Sequence, residues 1–212
     1  MGGRLKTSDE SNSFFAPISL KKRNDNSTAV FPHFVLDRGK PGIVAITPNG
    51  KRFVNEATTY HLFGKALSKA LDKYPNRSCY FICDKHFIKK YGLGMVRPNG
   101  IGLKNAIKIG YVKTANSIKD LSTSINVPFD ELSKTISSIN NYAKTGKDLD
   151  FKKGEDAYQI NLGDMYHKPN PCLGSITKPP FYAIEVYPGD IGASSGLITN
   201  SDAQVLDING EV

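Results

Sequence analysis

A phenol and an imidazole stand side by side in the stretch GKRFVNEATTYHLFGKALSKAL, residues Gly50 to Leu71, as Tyr60 and His61. Both side chains can handle a proton. A tyrosine serves as a general base only in its phenolate form, and an ordinary phenol pKa of about 10 makes that form scarce at neutral pH unless something stabilises it. The mouth of a helix favours a phenolate through its dipole. Spacing alone also fits a plainer role: Tyr60 shares a helix face with Gly64, Leu67 and Leu71, as a half-buried structural tyrosine does, and His61 falls one position round as a surface or capping side chain.

The elements that must position this pair follow from pattern. Leu62, Phe63, Ala66, Leu67, Ala70 and Leu71 recur at helical spacing, and Thr58 or Thr59 can cap the first turn. Upstream, IVAIT (Ile43 to Thr47) and KRFVN (Lys51 to Asn55) flank Pro48-Asn49-Gly50, which predicts a hairpin delivering the chain into that helix. An earlier hairpin is expected from Ile18 to Arg23 and Thr28 to Leu36, with its turn at Asn24 to Asn26. SCYFICD reads as a buried strand, and DKHFIKKYG as a short helix capped by Asp84 and stopped by Gly92. Two more helices are predicted, one over Ser117 to Ile125. The other has Pro128 in its first turn and Phe129, Leu132, Ile136, Ile139 and Ala143 on one face, and ends near Gly146. Phe151 to Pro180 reads as loop, and FYAIEVYPG, GLITNS and AQVLDINGEV as strands separated by turns. The order is an α+β pattern.

Composition narrows the function. The 212 residues carry a net charge of +8, but the excess is scattered lysine. The one tight basic cluster, LKKRNDNS, lies on the first hairpin without a nucleic-acid motif, so a solvated surface is expected and no nucleic-acid partner. No apolar run approaches 18 residues, which excludes a spanning helix. MGGRLKTSDESNSFF lacks the apolar core of a secretory signal, so a cytoplasmic location is expected. Cys79 and Cys83 fall on one face of a strand and read as buried reduced thiols, with no metal site at suitable spacing. GLGMVRPNGIG has no phosphate-binding spacing.

Longer motifs carry a resemblance. DRGKPG, GKRFVNEA followed two residues later by Tyr60-His61, TGKDLDF (Thr145 to Phe151) and FYAIEVYPGDIG resemble the 3-ketosteroid Δ1-dehydrogenase group within the fumarate reductase and succinate dehydrogenase flavoprotein superfamily. The resemblance implies FAD as cofactor and Tyr60 as the base that removes the proton α to a ketone, while a hydride leaves the β carbon for the flavin N5. Fumarate reductases have an arginine at the Tyr60 position and a histidine pair where this chain has Asp190, Ile191 and Gly192, so an apolar ketone or steroid-like molecule is implied rather than a dicarboxylate. Phe34, Leu36 and Ile191 are the expected substrate-lining residues, although FPHFVL (Phe31 to Leu36) also fits ordinary strand packing. Asp190, Gly192 and Gly196 are expected near the cofactor.

The same resemblance divides the chain into a β-rich arm (1–36), a substrate-binding or capping domain (37–180) and a β-meander of the FAD-binding domain (181–212). It implies the remainder of the FAD-binding domain as a partner, because these residues hold neither the family's Gly-rich βαβ unit nor the Tyr-Pro-Gly segment that in the family follows the stretch matching VLDINGEV, which is distinct from Tyr187-Pro188-Gly189. Little activity is expected of the chain alone. The alternatives are another substrate within the superfamily, or a non-catalytic ligand- or partner-binding module.

Overall fold

The computed structural model describes residues 2–6, 13–23, 25–35, 37–193 and 195–212. Asn24, at the predicted turn, and Leu36, an expected lining residue, lie outside the described residues. The strands are β1 (Ser13–Lys22), β2 (Thr28–Pro32), β3 (Ile43–Ile46), β4 (Cys79–Asp84), β5 (Lys113–Ala115) and β6 (Phe181–Ala193). The α-helices are α1 (Tyr60–Leu71), α2 (Lys85–Lys90), α3 (Leu103–Lys108), α4 (Ile118–Ser124), α5 (Phe129–Thr145) and α6 (Ala157–Leu162).

All strand pairs are antiparallel, in the order β2-β1-β6-β4-β3 with β5 on the other side of β6. Alternation on β3 and β4 sends side chains to two opposite cores. Ile43, Ala45, Phe81 and Cys83 meet Phe63 and Leu67 of α1, with Phe87 and Ile88 of α2. Val44, Ile46, Tyr80 and Ile82 meet Leu121 of α4 and Leu132, Ile136 and Ile139 of α5. Because both faces are covered, these strands read as continuous apolar runs, and Cys79, Cys83 and Cys172 are buried free thiols. Among the described residues no helix is long and apolar enough to cross a membrane.

Several expectations change. FYAIEVYPG does not end at Pro188-Gly189: β6 runs on to Ala193, because Pro188 sits opposite Pro17 of β1 and Gly189 leaves room for the Ile18 side chain. The expected boundary at 180/181 therefore falls beside a strand whose first half pairs with β4 and β5 and whose second half pairs with β1. KRFVN is not a strand. It keeps a single bridge, Ile46 to Arg52, because Arg52 turns inward to buried carboxylates. Phe129 is 41% exposed, so the buried face of α5 begins at Leu132. The stretch expected as loop contains α6, and α3 and β5 arise where no element was expected.

Candidate active site

The chain reaches Tyr60 through an irregular segment held by side chains. Gly50, at φ +84, makes the turn before it. Arg52 then donates two hydrogen bonds to Glu56, at 3.0 and 2.8 Å, and two to Asp148, at 2.9 and 2.8 Å. Lys153 Nζ lies 3.2 Å from Glu56 Oε2 and donates to the Ile43 carbonyl at 3.1 Å. All four side chains are almost wholly withdrawn from water, and two cations balance two carboxylates. Burial alone would raise the Glu56 pKa, but Arg52 and Lys153 overcome it and hold the carboxyl at about 2. Asn55 donates to the Phe151 carbonyl and to Gln159 while accepting from the Ala57 N–H.

Arg38, inside the DRGKPG motif, is fully buried. Its Nε donates to the His33 carbonyl at 2.9 Å, and its Nη1 to the Glu56 carbonyl at 2.8 Å and to the Thr58 carbonyl. Its Nη2 is buried without a partner. Burial lowers the guanidinium pKa to about 10, which leaves it cationic at neutral pH.

Beneath the turn at 33–38 runs a buried chain of polar groups. The Met95 N–H donates to Tyr111 Oη at 3.1 Å, Tyr111 Oη and Ser19 Oγ are 2.7 Å apart, and Ser19 Oγ and His33 Nε2 are 2.9 Å apart. His33 Nδ1 then meets Asp37 Oδ2 at 2.6 Å. A proton on Nδ1 satisfies every member. The serine, histidine and aspartate imitate a hydrolytic triad, but Ser19 and His33 are fully buried and the hydroxyl is already shared with Tyr111, so no acyl group reaches it. Burial opposes ionisation of Asp37, yet His33 and the N–H groups of Gly94 and Arg38 hold its pKa below the ordinary value.

Tyr60 is the first residue of α1, capped by Thr59. The Phe34 ring meets it edge-on, with centroids 5.1 Å apart. Among the described residues no protein group hydrogen-bonds the Tyr60 hydroxyl. His61 is neither a cap nor a free surface residue: its Nδ1 accepts the Phe15 N–H at 3.3 Å, at an irregularity in the β1–β6 register. It thereby docks the helix mouth on β1. Three positions further on, Gly64 allows close contact, since a Cβ there would lie 2.7 Å from that of Phe15.

Of the sequence-predicted residues, the structure brings Phe34 and Tyr60 together. Asp190 is exposed opposite Phe15, one strand from His61, and Ile191 is half exposed beyond it. A Cβ at Gly192 or Gly196 would meet nothing within 4 Å, so these glycines form no closed cradle for a cofactor within the chain. Arg38, Arg52, Glu56 and Asp148 lie within the DRGKPG, GKRFVNEA and TGKDLDF motifs, but nothing local in the sequence joins them to one another or to Lys153.

Known proteins resemble this chain in fold and sequence. The solved 3-ketosteroid delta1-dehydrogenase from Sterolibacterium denitrificans, in complex with 1,4-androstadiene-3,17-dione, is similar with a TM-score of 0.87 and 30% identity over 99% of this chain and 37% of its own. An open-conformation flavocytochrome c3 fumarate reductase shares the fold, with a TM-score of 0.61 and 24% identity over 99% of this chain and 30% of its own. Among curated relatives, the 4-oxocyclohex-2-ene-1-carboxylate 5-dehydrogenase of Sinomonas cyclohexanicum is 33% identical over 99% of this chain and 35% of its own length. The 3-oxosteroid 1-dehydrogenase of Mycobacterium tuberculosis (strain ATCC 25618 / H37Rv) is 29% identical over 85% and 33%. The chain spans about a third of the length of these curated relatives. The family model that matches residues 2–212 is described as an FAD binding domain, which corrects the expected label of capping domain for 37–180. The chain belongs to the FAD binding domain family, and FAD is its cofactor.

Proposed function

We propose that this chain supplies the general base, Tyr60, to an FAD-dependent dehydrogenase that introduces a double bond beside a ring ketone, with a 3-ketosteroid-like substrate. The observation that carries the reading is the placement of Tyr60 at the first position of α1, with no protein partner on its hydroxyl among the described residues and the Phe34 ring against its own. That leaves a phenol facing an apolar ring, which suits a proton bound to carbon. Tyr60, as phenolate, accepts the proton from the carbon α to the ketone. When bound, FAD supplies the acceptor for the hydride that leaves the β carbon as the double bond forms. Phe34 gives the ring system an apolar wall beside Tyr60. The exposed Phe14, Ile191 and Leu197 face the remainder of the flavoprotein.

The names of the similar proteins support a cyclic ketone. The Sinomonas relative adds a second substrate class for the same reaction, a monocyclic ketone bearing a carboxylate. The test is Tyr60→Phe in the full-length, FAD-loaded protein, assayed by dye reduction with a 3-ketosteroid and with a 4-oxocyclohexane carboxylate. Loss of a general base lowers kcat by about 10²- to 10⁴-fold with FAD content unchanged. Undiminished turnover of both ketones in that variant would remove Tyr60 from the mechanism.

A further inference from the structure

We propose that Arg38 is a positioning residue for Tyr60, a strut that ties the turn carrying Phe34 to the mouth of α1; this rests on the assignment of Tyr60 as base. The geometry is specific to the site. One nitrogen of the guanidinium holds the carbonyl of His33, the residue before Phe34, and another holds the carbonyls of Glu56 and Thr58, four and two residues before Tyr60. The turn is braced from its other side as well. Asp37 accepts the Arg38 N–H at 2.8 Å, the Gly94 N–H at 3.1 Å and the His33 imidazole at 2.6 Å.

The charges argue against a role in stability alone. Arg52 is buried between two carboxylates that neutralise it, whereas the Arg38 side chain donates to backbone carbonyls, and the nearby Asp37 carboxylate and Tyr158 hydroxyl only partly offset its burial. A fully buried guanidinium with no carboxylate at salt-bridge distance among the described residues is a costly way to fill space that an apolar side chain could occupy. What the guanidinium offers is donors fixed in one rigid plane and pointing to different sides, so that Nε and Nη1 reach two chain segments at once. A lysine, with a single nitrogen on a flexible stem, cannot span both in the same way.

The experiment uses the full-length, FAD-loaded enzyme with Arg38→Lys, Arg38→Met and Tyr60→Phe. It measures kcat and KM for the ketone, FAD absorbance, and the rate at which a dye reoxidises flavin reduced by dithionite, a step that needs no base. A displaced base should lower kcat by about 10²-fold, as misplacement by about 1 Å does elsewhere. The expected result is that fall in both Arg38 variants, with KM changing much less, FAD content and reoxidation as in the parent, and the lysine no better than the methionine. Unchanged kcat in the Arg38 variants overturns the strut, and so does a fall in which FAD content and reoxidation decline in step with kcat. Failure of both variants to fold overturns it too, by making Arg38 a general stability element. If Tyr60→Phe keeps its turnover, the base assignment falls and the strut with it; if Tyr60→Phe is inactive while the Arg38 variants are active, only the strut falls.

Discussion

Glu56→Gln keeps the size of the side chain and removes one charge from the buried cluster. In the native chain Oε1 accepts from the Ala45 N–H at 3.1 Å and from Arg52 Nε at 3.0 Å, while Oε2 accepts from Arg52 Nη2 at 2.8 Å and faces Lys153 Nζ at 3.2 Å. A glutamine has one acceptor oxygen, so its amide N–H groups must point at donors of Arg52 or Lys153, and two buried cations are left with one buried carboxylate, Asp148, and the exposed Asp150 3.8 Å from Arg52. Breaking a buried pair from one side costs about 3–5 kcal/mol. The depressed pKa of Glu56 leads to a similar figure by a separate route. A carboxyl held at about 2 against an ordinary 4.5 contributes about 3 kcal/mol at neutral pH.

The sign follows from the direction of that shift. A depressed folded-state pKa means the contribution is complete above 4.5 and is lost as pH falls from 4.5 towards 2. Urea unfolding followed by far-UV circular dichroism, at neutral pH and at steps down to the lowest pH where the native chain stays folded, measures it. Other carboxylates also titrate there, but they do so in both proteins, and the difference between native and variant isolates Glu56. The gap should be about 3 kcal/mol or more at neutral pH and should narrow on acidification. A gap below about 1 kcal/mol, the range of an exposed pair, or one indifferent to pH, would refute the reasoning.

Gly64→Val drives a side chain into Phe15 and the Ala16 backbone, 2.7 and 3.0 Å from the added Cβ, and should cost about 1–3 kcal/mol in thermal unfolding. It should also lower turnover of the full-length protein, since α1 carries Tyr60; an unmoved unfolding midpoint counts against this packing. Burial pushes the Cys79 thiol up to about 12, raises Cys83 well above its ordinary value and raises Cys172. A thiol reagent at about pH 8 should therefore label the native chain only as fast as it unfolds, and rapid labelling would contradict the buried placement. Tyr111→Phe removes the hydroxyl shared by Ser19 and Met95 and should cost about 1–3 kcal/mol, read by urea unfolding, with no change in the FAD content of the full-length protein.

Long periodic elements were legible because one physical signal dominates each. The faces of α1 and α5, the Asp84 cap of α2 and the apolar run of β4 all follow from local pattern. The short elements were not. α3 starts at Gly102, at φ +87, with no side-chain cap, and is closed by a bond from the Val112 N–H to the Ala106 carbonyl, which no local pattern foretells. α6 had a readable signal: Asp156 followed three residues later by Gln159 is a capping arrangement, and Asp156 accepts the Gln159 N–H at 2.8 Å. KRFVN misled because its alternation fits a strand, while the charge on Arg52 finds partners at Glu56 and Asp148 that the sheet cannot provide.

Those distant partners explain how an irregular segment can hold Tyr60, the proposed base, in place. Residues 51–59 have almost no backbone pairing of their own, yet nearly every polar group near them is fixed from another part of the chain. Asp148 and Lys153 hold the Arg52–Glu56 pair from the segment after α5, Gln159 of α6 holds Asn55, Ala45 of β3 donates to Glu56, and Arg38 collects the carbonyls of Glu56 and Thr58. Thr59 then caps α1, and His61 fixes the helix mouth to β1. Tyr60 itself is the exception, since its hydroxyl has no partner among the described residues. A frame fixed from several parts of the chain suits the proton transfer proposed for Tyr60, because the frame rather than a bond to the hydroxyl sets its position. Tyr60 and most members of the frame lie in motifs legible in the sequence, but their coming together was not, because they are separated by up to about a hundred residues and share no local pattern.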